Sequence, residues 1–185
     1  MRLGMFKQIR GFTLIELMVT VTVLAIVLGI AVPSFQKLII NNKSLTFGDE
    51  FATALNYARS QAVKTSKRVS ICASSNGATC TGSWAQGFIV YQDDAASDTE
   101  VTTTLGTIYK VWPKLPSAGT FTVKRGALAN GADASFIRYT SLGTLAPIEN
   151  KPINVSVKLT GCSGKAARKI SVNLSGLASI QADDC

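Results

Sequence analysis

The chain has 185 residues, of which 19 are lysine or arginine and 11 are aspartate or glutamate, so its formal net charge is +8. A chain of this length ordinarily forms one domain with a modest core. It contains no histidine and no Cys-x-x-Cys pair, which excludes the usual zinc sites and the Ser-His and Cys-His nucleophile pairs. We therefore expect neither an enzyme nor a metal or other cofactor.

The first predicted element is an apolar run over residues 12–32, in which Glu16 is the single charged residue. As a helix, this run spans about 31 Å, which is close to the thickness of a bilayer's hydrocarbon core. Arg2, Lys7 and Arg10 precede it. Because basic residues stay on the cytoplasmic side, we predict one membrane-spanning helix with its N-terminus in the cytoplasm and the remaining chain outside.

Three other interpretations of the apolar run remain. A cleavable secretory signal would use residues 29–31 (GIA) as a small-residue cleavage site, and an ordinary membrane anchor would keep the run. Neither accounts for Glu16, because an ionised carboxylate at this depth costs about 1–3 kcal/mol and usually has a partner. A buried core helix is disfavoured by the length and continuity of the run.

Residues 11–16 (GFTLIE) resemble the type III signal of type IV pilins and type II secretion pseudopilins. The resemblance implies that a prepilin peptidase cuts between Gly11 and Phe12 and that Phe12 is then N-methylated. Glu16 then becomes the fifth residue of the mature chain, where the family has its glutamate. Our hypothesis is that Glu16 pairs with the N-terminal amine of a neighbouring subunit during filament assembly. Pro33 matches the proline at which the family's helix kinks after the membrane span.

Beyond Pro33, apolar residues recur at helical spacing. We predict one helix over residues 12–64, kinked or locally melted near Pro33, whose second half buries one face against a sheet. The apolar positions of that face are Leu38, Leu45, Phe51, Leu55, Ala58 and Ala62.

The chain after Arg68 is predicted to be β-rich, because β-branched and aromatic runs alternate with turn residues. The seven runs cover residues 69–73, 88–92, 107–112, 120–124, 136–140, 153–159 and 169–174. The expected fold class is α+β, the type IV pilin fold, in which a long N-terminal helix packs on an antiparallel β-sheet head. The expected divisions are a leader at 1–11, a transmembrane and assembly helix at 12–33, an amphipathic second half at 34–66 and a periplasmic head at 67–185.

The four cysteines, Cys72, Cys80, Cys162 and Cys185, all follow the apolar run. Outside the cytoplasm, two disulfides are the natural expectation. Three pairings are open, and we favour Cys72–Cys80 with Cys162–Cys185 because each closes a local loop.

An acidic group lies in a polar stretch between two predicted strands and consists of Asp93, Asp94, Asp98 and Glu100. It lacks the ligand spacing and the glycine of an EF-hand loop, so we expect a solvated loop in place of a calcium site.

Three further sequence motifs indicate a subfamily of the type IV pilin-like proteins. They are LxxARSxAV at residues 55–63 followed by VSIC at 69–72, WAQGFIVY at 84–91 followed by Asp93, and RKISV at 168–172 with Gly176. In this order they resemble the GspH/FimT family, which includes FimU-type and FimT-type minor pilins and GspH pseudopilins. We expect Trp84 and Gly87 to serve strand packing and a tight turn.

The resemblance implies a minor pilin that initiates or caps a type IV pilus, with a minor pseudopilin of type II secretion as an alternative. The implied partners are the prepilin peptidase, other major and minor pilins through the N-terminal helix, and the inner-membrane assembly platform. The implied location is the inner membrane and then the pilus at the cell surface.

A second alternative is a competence pilin that binds DNA during uptake. Some FimT members do so through a basic Gly-Arg-x-Arg motif, but residues 176–179 read GLAS here, without charge. The candidate phosphate contacts are instead Lys158, Lys165, Arg168 and Lys169. Because alternation in a strand places Arg168 and Lys169 on opposite faces, the four side chains are not expected to converge, and DNA binding is not favoured.

Overall fold

The computed structural model describes residues 11–114 and 118–185. The chain divides into two compact units, Met1–Leu38 and Ile39–Cys185. Helix α1 (Leu14–Thr65) contributes to both units, close to the predicted helix over 12–64. We predicted a kink or local melting near Pro33; α1 continues through Pro33, so the helix is not melted there. Proline removes one backbone N–H from the helical ladder, and the helix continues on either side of it.

The first unit is an exposed apolar helix. Every described residue from Gly11 to Leu38 is exposed. Helix α1 contains an 18-residue window with a mean hydropathy of 2.6, so it is long and apolar enough to cross a membrane by length and composition. β-branched residues, frequent here, favour strands in water, but helix is the form that satisfies the backbone within lipid.

The second unit combines the rest of α1 with nine strands among the residues that the structure describes. One antiparallel sheet has the order β3-β2-β1-β6 and the other β5-β4-β7-β8-β9. The strands of the first sheet are β1 (Val69–Ala73), β2 (Phe88–Asp93), β3 (Leu105–Trp112) and β6 (Phe136–Tyr139). Those of the second are β4 (Gly119–Arg125), β5 (Ala132–Asp133), β7 (Ile153–Leu159), β8 (Ala167–Val172) and β9 (Ala178–Asp183). Short 3₁₀ helices cover Trp84–Gln86 and Ile148–Asn150.

All seven predicted strands are present, with some ends shifted. The last predicted strand ends at Val172, not at residue 174. Asn173 stops it, because its side-chain oxygen accepts the Leu177 N–H at 3.0 Å and closes a turn. Strands β5 and β9 were not predicted. β5 has two residues, and β9 is an edge strand whose mostly exposed residues lack an apolar alternation.

The second half of α1 packs on both sheets. Its buried residues are Ser44, Gly48, Phe51, Ala52, Ala54, Leu55, Ala58 and Ala62. The predicted stripe is correct at its last four positions, whereas Leu38 is exposed. The Phe51 ring lies edge-on to Phe88 of β2 and to Phe121 of β4, with centroids 5.1 and 4.8 Å apart. Phe51 therefore joins the helix to both sheets.

Strands β1, β2 and β6 of the first sheet are buried on both faces. Ile71 and Val90 belong to the core that includes the buried face of α1, whereas Cys72 and Ile89 belong to a second cluster on the opposite face. Strands buried on both sides appear in the sequence as continuous apolar runs, which is the pattern of β1 and β2. The buried charged residues Asp93 and Arg138 also lie on this opposite face.

Candidate assembly and processing site

Helix α1 begins with a capping box formed by Thr13 and Glu16. The Thr13 carbonyl accepts the Leu17 N–H at 3.1 Å, and Thr13 Oγ1 accepts the Glu16 N–H at 3.3 Å. In return, the Thr13 N–H donates to Glu16 Oε2 at 3.5 Å. This role of Glu16 was not predicted, although the Thr-x-x-Glu spacing is its signal in the sequence.

The bond predicted to be cut, between Gly11 and Phe12, lies before the helix. Residues 11–13 have no regular secondary structure, and the Phe12 side chain is exposed. A Cβ added to Gly11 would meet no atom within 4 Å. The chain's own packing therefore does not require glycine at this position.

Glu16 has no salt bridge to a basic side chain within residues 11–114 and 118–185. Its carboxylate contacts Thr13 alone among the hydrogen bonds of that region. A lone carboxylate in an apolar helix is a group that gains from a cationic partner.

The two disulfides of the second unit join Cys72 to Cys80 and Cys162 to Cys185, which is the pairing favoured from the sequence. The second disulfide ties the C-terminal residue to the loop between β7 and β8. That loop in turn contacts α1, where Asn41 Oδ1 accepts the Ser163 N–H at 2.9 Å.

The expectation of a solvated acidic loop is wrong for Asp93, which is buried. Its Oδ2 accepts hydrogen bonds from Ser70 Oγ at 2.6 Å and from Arg138 Nε at 2.8 Å. Its Oδ1 accepts the N–H groups of Ala95 and Thr104 at 3.1 and 3.0 Å. The carboxylate is fully engaged by protein donors, and the described residues contain no cluster suited to a metal ion.

Arg138 orders the loop over residues 94–104. Its Nη1 donates to the Glu100 carbonyl at 2.7 Å and its Nη2 to the Thr102 carbonyl at 2.6 Å. The role of Arg138, a lone arginine inside the apolar strand FIRY, was not predicted from the sequence. That isolation was its signal, because a charge within a buried strand requires a partner.

Trp84 and Gly87 serve the packing and turn roles expected of them. Trp84 is buried and its Nε1 donates to the Ala134 carbonyl at 3.0 Å. Gly87 has a φ of +119°, and a Cβ there would lie 2.7 Å from the Trp112 carbonyl oxygen. Only glycine fits this turn without strain.

The basic residues proposed for DNA contact do not all lie on one face of the second sheet. Arg168 Nε lies 3.0 Å from Asp49 Oδ1 on α1, and Lys165 Nζ lies 2.9 Å from Asp184 Oδ2. Lys158 Nζ donates to the Cys185 carbonyl at 3.3 Å. Lys169 follows Arg168 in β8 and so lies on the opposite face of the sheet.

Two family models match the chain. The model described as type II transport protein GspH matches residues 48–176, and the prokaryotic N-terminal methylation motif matches residues 6–32. No curated protein matches the chain.

Two crystal structures of the type IV minor pilin FimU from Pseudomonas aeruginosa PAO1 share the fold. In the P21 form, the identity is 20% and the TM-score 0.53, over 77% of this chain and 89% of that chain. In the P65 form, the identity is 19% and the TM-score 0.50, over 72% and 89%. The expected combination of a long helix with an antiparallel head is thus confirmed.

Proposed function

Because the chain belongs to the GspH family of type IV pilin-like proteins, we propose that it is a minor pilin, assembled through its N-terminal helix to initiate or cap a type IV pilus. The observation that carries this proposal is the exposed apolar helix of the first unit, with its one carboxylate. The side chains of Phe12, Leu14 and Ile30 are more than 70% exposed. A surface this apolar requires a cover of lipid or of other apolar helices.

In this proposal the apolar helix is covered first by lipid and later by the helices of other pilins. The helix first spans the inner membrane, with the leader in the cytoplasm and the head in the periplasm. It then leaves the bilayer and packs among the helices of other pilins in the filament. In this proposal the prepilin peptidase and the inner-membrane assembly platform act on the chain, which is their substrate and cargo.

Glu16 sets the register of assembly in this proposal. Cleavage between Gly11 and Phe12 creates an α-amine, which is cationic at neutral pH. In an apolar bundle, the carboxylate of one subunit and the amine of its neighbour are each costly alone, and pairing relieves that cost. Because the described residues supply Glu16 with no cation, a neighbouring subunit is the proposed source.

The test uses an epitope-tagged chain in the organism of origin, followed through deletion and complementation. We expect the mature protein in sheared pili at low abundance, and we expect deletion to reduce surface piliation while leaving secretion by a type II system intact. Loss of secretion with normal piliation would overturn the proposal and favour the pseudopilin alternative.

The DNA-uptake alternative gains no support from the described part of the head. Three of its four candidate basic residues contact acceptors of the same chain. Arg168 lies on the sheet face that packs on α1, whereas Lys158 and Lys169 lie on the other face.

A further inference from the structure

We propose that Thr13 is a positioning residue for the prepilin peptidase, because its cap starts α1 after the scissile bond and so leaves that bond out of the helix. The inference rests on the proposed function, in which the chain is a prepilin cut between Gly11 and Phe12. Thr13 differs from the residues named in the proposed function, which are cut (Gly11 and Phe12), methylated (Phe12) or charged (Glu16).

The first step is that Thr13 defines the helix start. Its carbonyl accepts the first helical hydrogen bond, from the Leu17 N–H, and its hydroxyl accepts the N–H of Glu16. A residue in this position has a non-helical backbone. The Thr13 side chain therefore fixes the start of the helix at Leu14.

The second step is that nothing else in the described residues stops the helix there. Gly11 and Phe12 each carry an N–H, and a Cβ at Gly11 would clash with nothing. Near a bilayer, unpaired backbone groups are costly, so an uncapped helix gains by extending toward its N-terminus. The Thr13 cap opposes that extension by satisfying the first N–H groups with side-chain oxygens.

The third step is that helix at the scissile bond hinders cleavage. In a helix extended by one turn, the Gly11 carbonyl would accept the Ile15 N–H and the surrounding turn would cover the bond. Hydrolysis breaks the Gly11–Phe12 C–N bond as water supplies hydroxide to the Gly11 carbonyl carbon and a proton to the Phe12 nitrogen. The attacking water requires that carbonyl carbon to be free of the helix.

The test uses the full-length precursor in detergent micelles with purified prepilin peptidase. Thr13→Val keeps the shape of the side chain but removes the hydroxyl, whereas Thr13→Ser keeps the hydroxyl. Thr20→Val is the matched control, because it makes the same substitution within α1 at a hydroxyl that donates to the Leu17 carbonyl at 2.8 Å and takes no part in the cap. All three variants retain the leader and the cleavage site.

We expect Thr13→Val to lower the initial cleavage rate about fivefold, which corresponds to the loss of about 1 kcal/mol of capping energy. Thr13→Ser and Thr20→Val are expected to be cut at nearly the wild-type rate. The Cα chemical shifts of Gly11 and Phe12 should become helical in Thr13→Val, which separates a shifted helix start from a general loss of stability.

The possible outcomes separate the positioning role of Thr13 from the proposed function as a prepilin. If wild-type protein is cut and Thr13→Val is cut equally fast, or keeps non-helical shifts at Phe12, the positioning role is overturned and the prepilin assignment stands. If wild-type protein is not cut between Gly11 and Phe12, both are overturned.

Discussion

Arg138 and Asp93 form an ion pair on the face of the first sheet opposite α1, with Nε 2.8 Å from Oδ2 and neither side chain exposed to solvent. The pair lies between β6 and the end of β2, on strands that both neighbour β1. From there Arg138 also bonds carbonyls of the loop over residues 94–104. One buried charge thus orders an exposed loop of the head.

Breaking this pair should destabilise the head strongly. Arg138→Met leaves the Asp93 carboxylate buried without its cation, which typically costs about 3–5 kcal/mol. The measurement is urea unfolding of the detergent-solubilised protein, followed by the fluorescence of the buried Trp84 and Trp112.

The control for that experiment is Arg68→Met. Arg68 pairs with Asp98 at 3.3 Å, but both side chains are partly exposed, so we expect the salt bridge to contribute less than about 1 kcal/mol. An equal loss of unfolding free energy in Arg138→Met and Arg68→Met would contradict the larger contribution expected of Arg138.

Glu16→Gln should separate capping from assembly. Glutamine can replace glutamate in a capping box, but it carries no charge to pair with an amine. We therefore expect Glu16→Gln to be inserted and cleaved normally and to be absent from filaments. Glu16→Ala should in addition be cleaved more slowly, because the Thr13 N–H loses its acceptor.

Immunoblots of whole cells and of sheared pili measure the two steps separately. Normal incorporation of Glu16→Gln into filaments would refute the proposed charge pairing, whatever its cleavage rate.

Gly48→Ala should destabilise the packing of α1 on β8. A Cβ at Gly48 would lie 2.3 Å from both Cβ and Cγ of Arg168, the partner of Asp49. Such overpacking typically costs about 1–3 kcal/mol, which exceeds the roughly 1 kcal/mol that alanine gains over glycine in a helix.

Gly29→Ala is the matched control for that change, since a Cβ there meets nothing within 4 Å. Unfolding of both variants by urea should show a loss of stability for Gly48→Ala alone. An unchanged midpoint in Gly48→Ala would mean that α1 and β8 separate at little cost.

The two disulfides predict a specific peptide map. Digestion of the non-reduced protein should yield Cys72 linked to Cys80 and Cys162 linked to Cys185. Replacing both Cys162 and Cys185 by serine should cost about 3.5 kcal/mol, since the closed loop of roughly two dozen residues restricts the unfolded chain. A peptide that joins Cys72 to Cys162 would refute the two local loops.

DNA binding should be weak and should not depend on Arg168. Because Arg168 is paired with Asp49, Arg168→Ala is expected to lower the stability of the head and to leave DNA mobility unchanged. Mobility assays at several salt concentrations check this, since binding through phosphates would weaken steeply with salt. Strong binding at low salt that Arg168→Ala abolishes would restore the DNA-uptake alternative.

Local patterns in the sequence were sufficient to predict the long helix, seven strands and the pilin-like fold. Residues 11–16 and the apolar run after them lie within one segment, and the buried strands carry continuous apolar runs. Such signals depend on neighbours in the chain, so no knowledge of packing is needed. The same holds for the favoured disulfides, each of which closes a short loop.

Only the tertiary structure shows which charged residues are buried and which residues they pair with. Asp93 and Arg138 are 45 residues apart, and Asp49 and Arg168 are 119 residues apart. An isolated acidic or basic string is expected to be solvated, because burial of a charge is costly unless a partner is present. That partner is brought near by strand pairing and by the docking of α1, which no local pattern encodes, so the sequence determined the elements and the fold decided which of their charges meet.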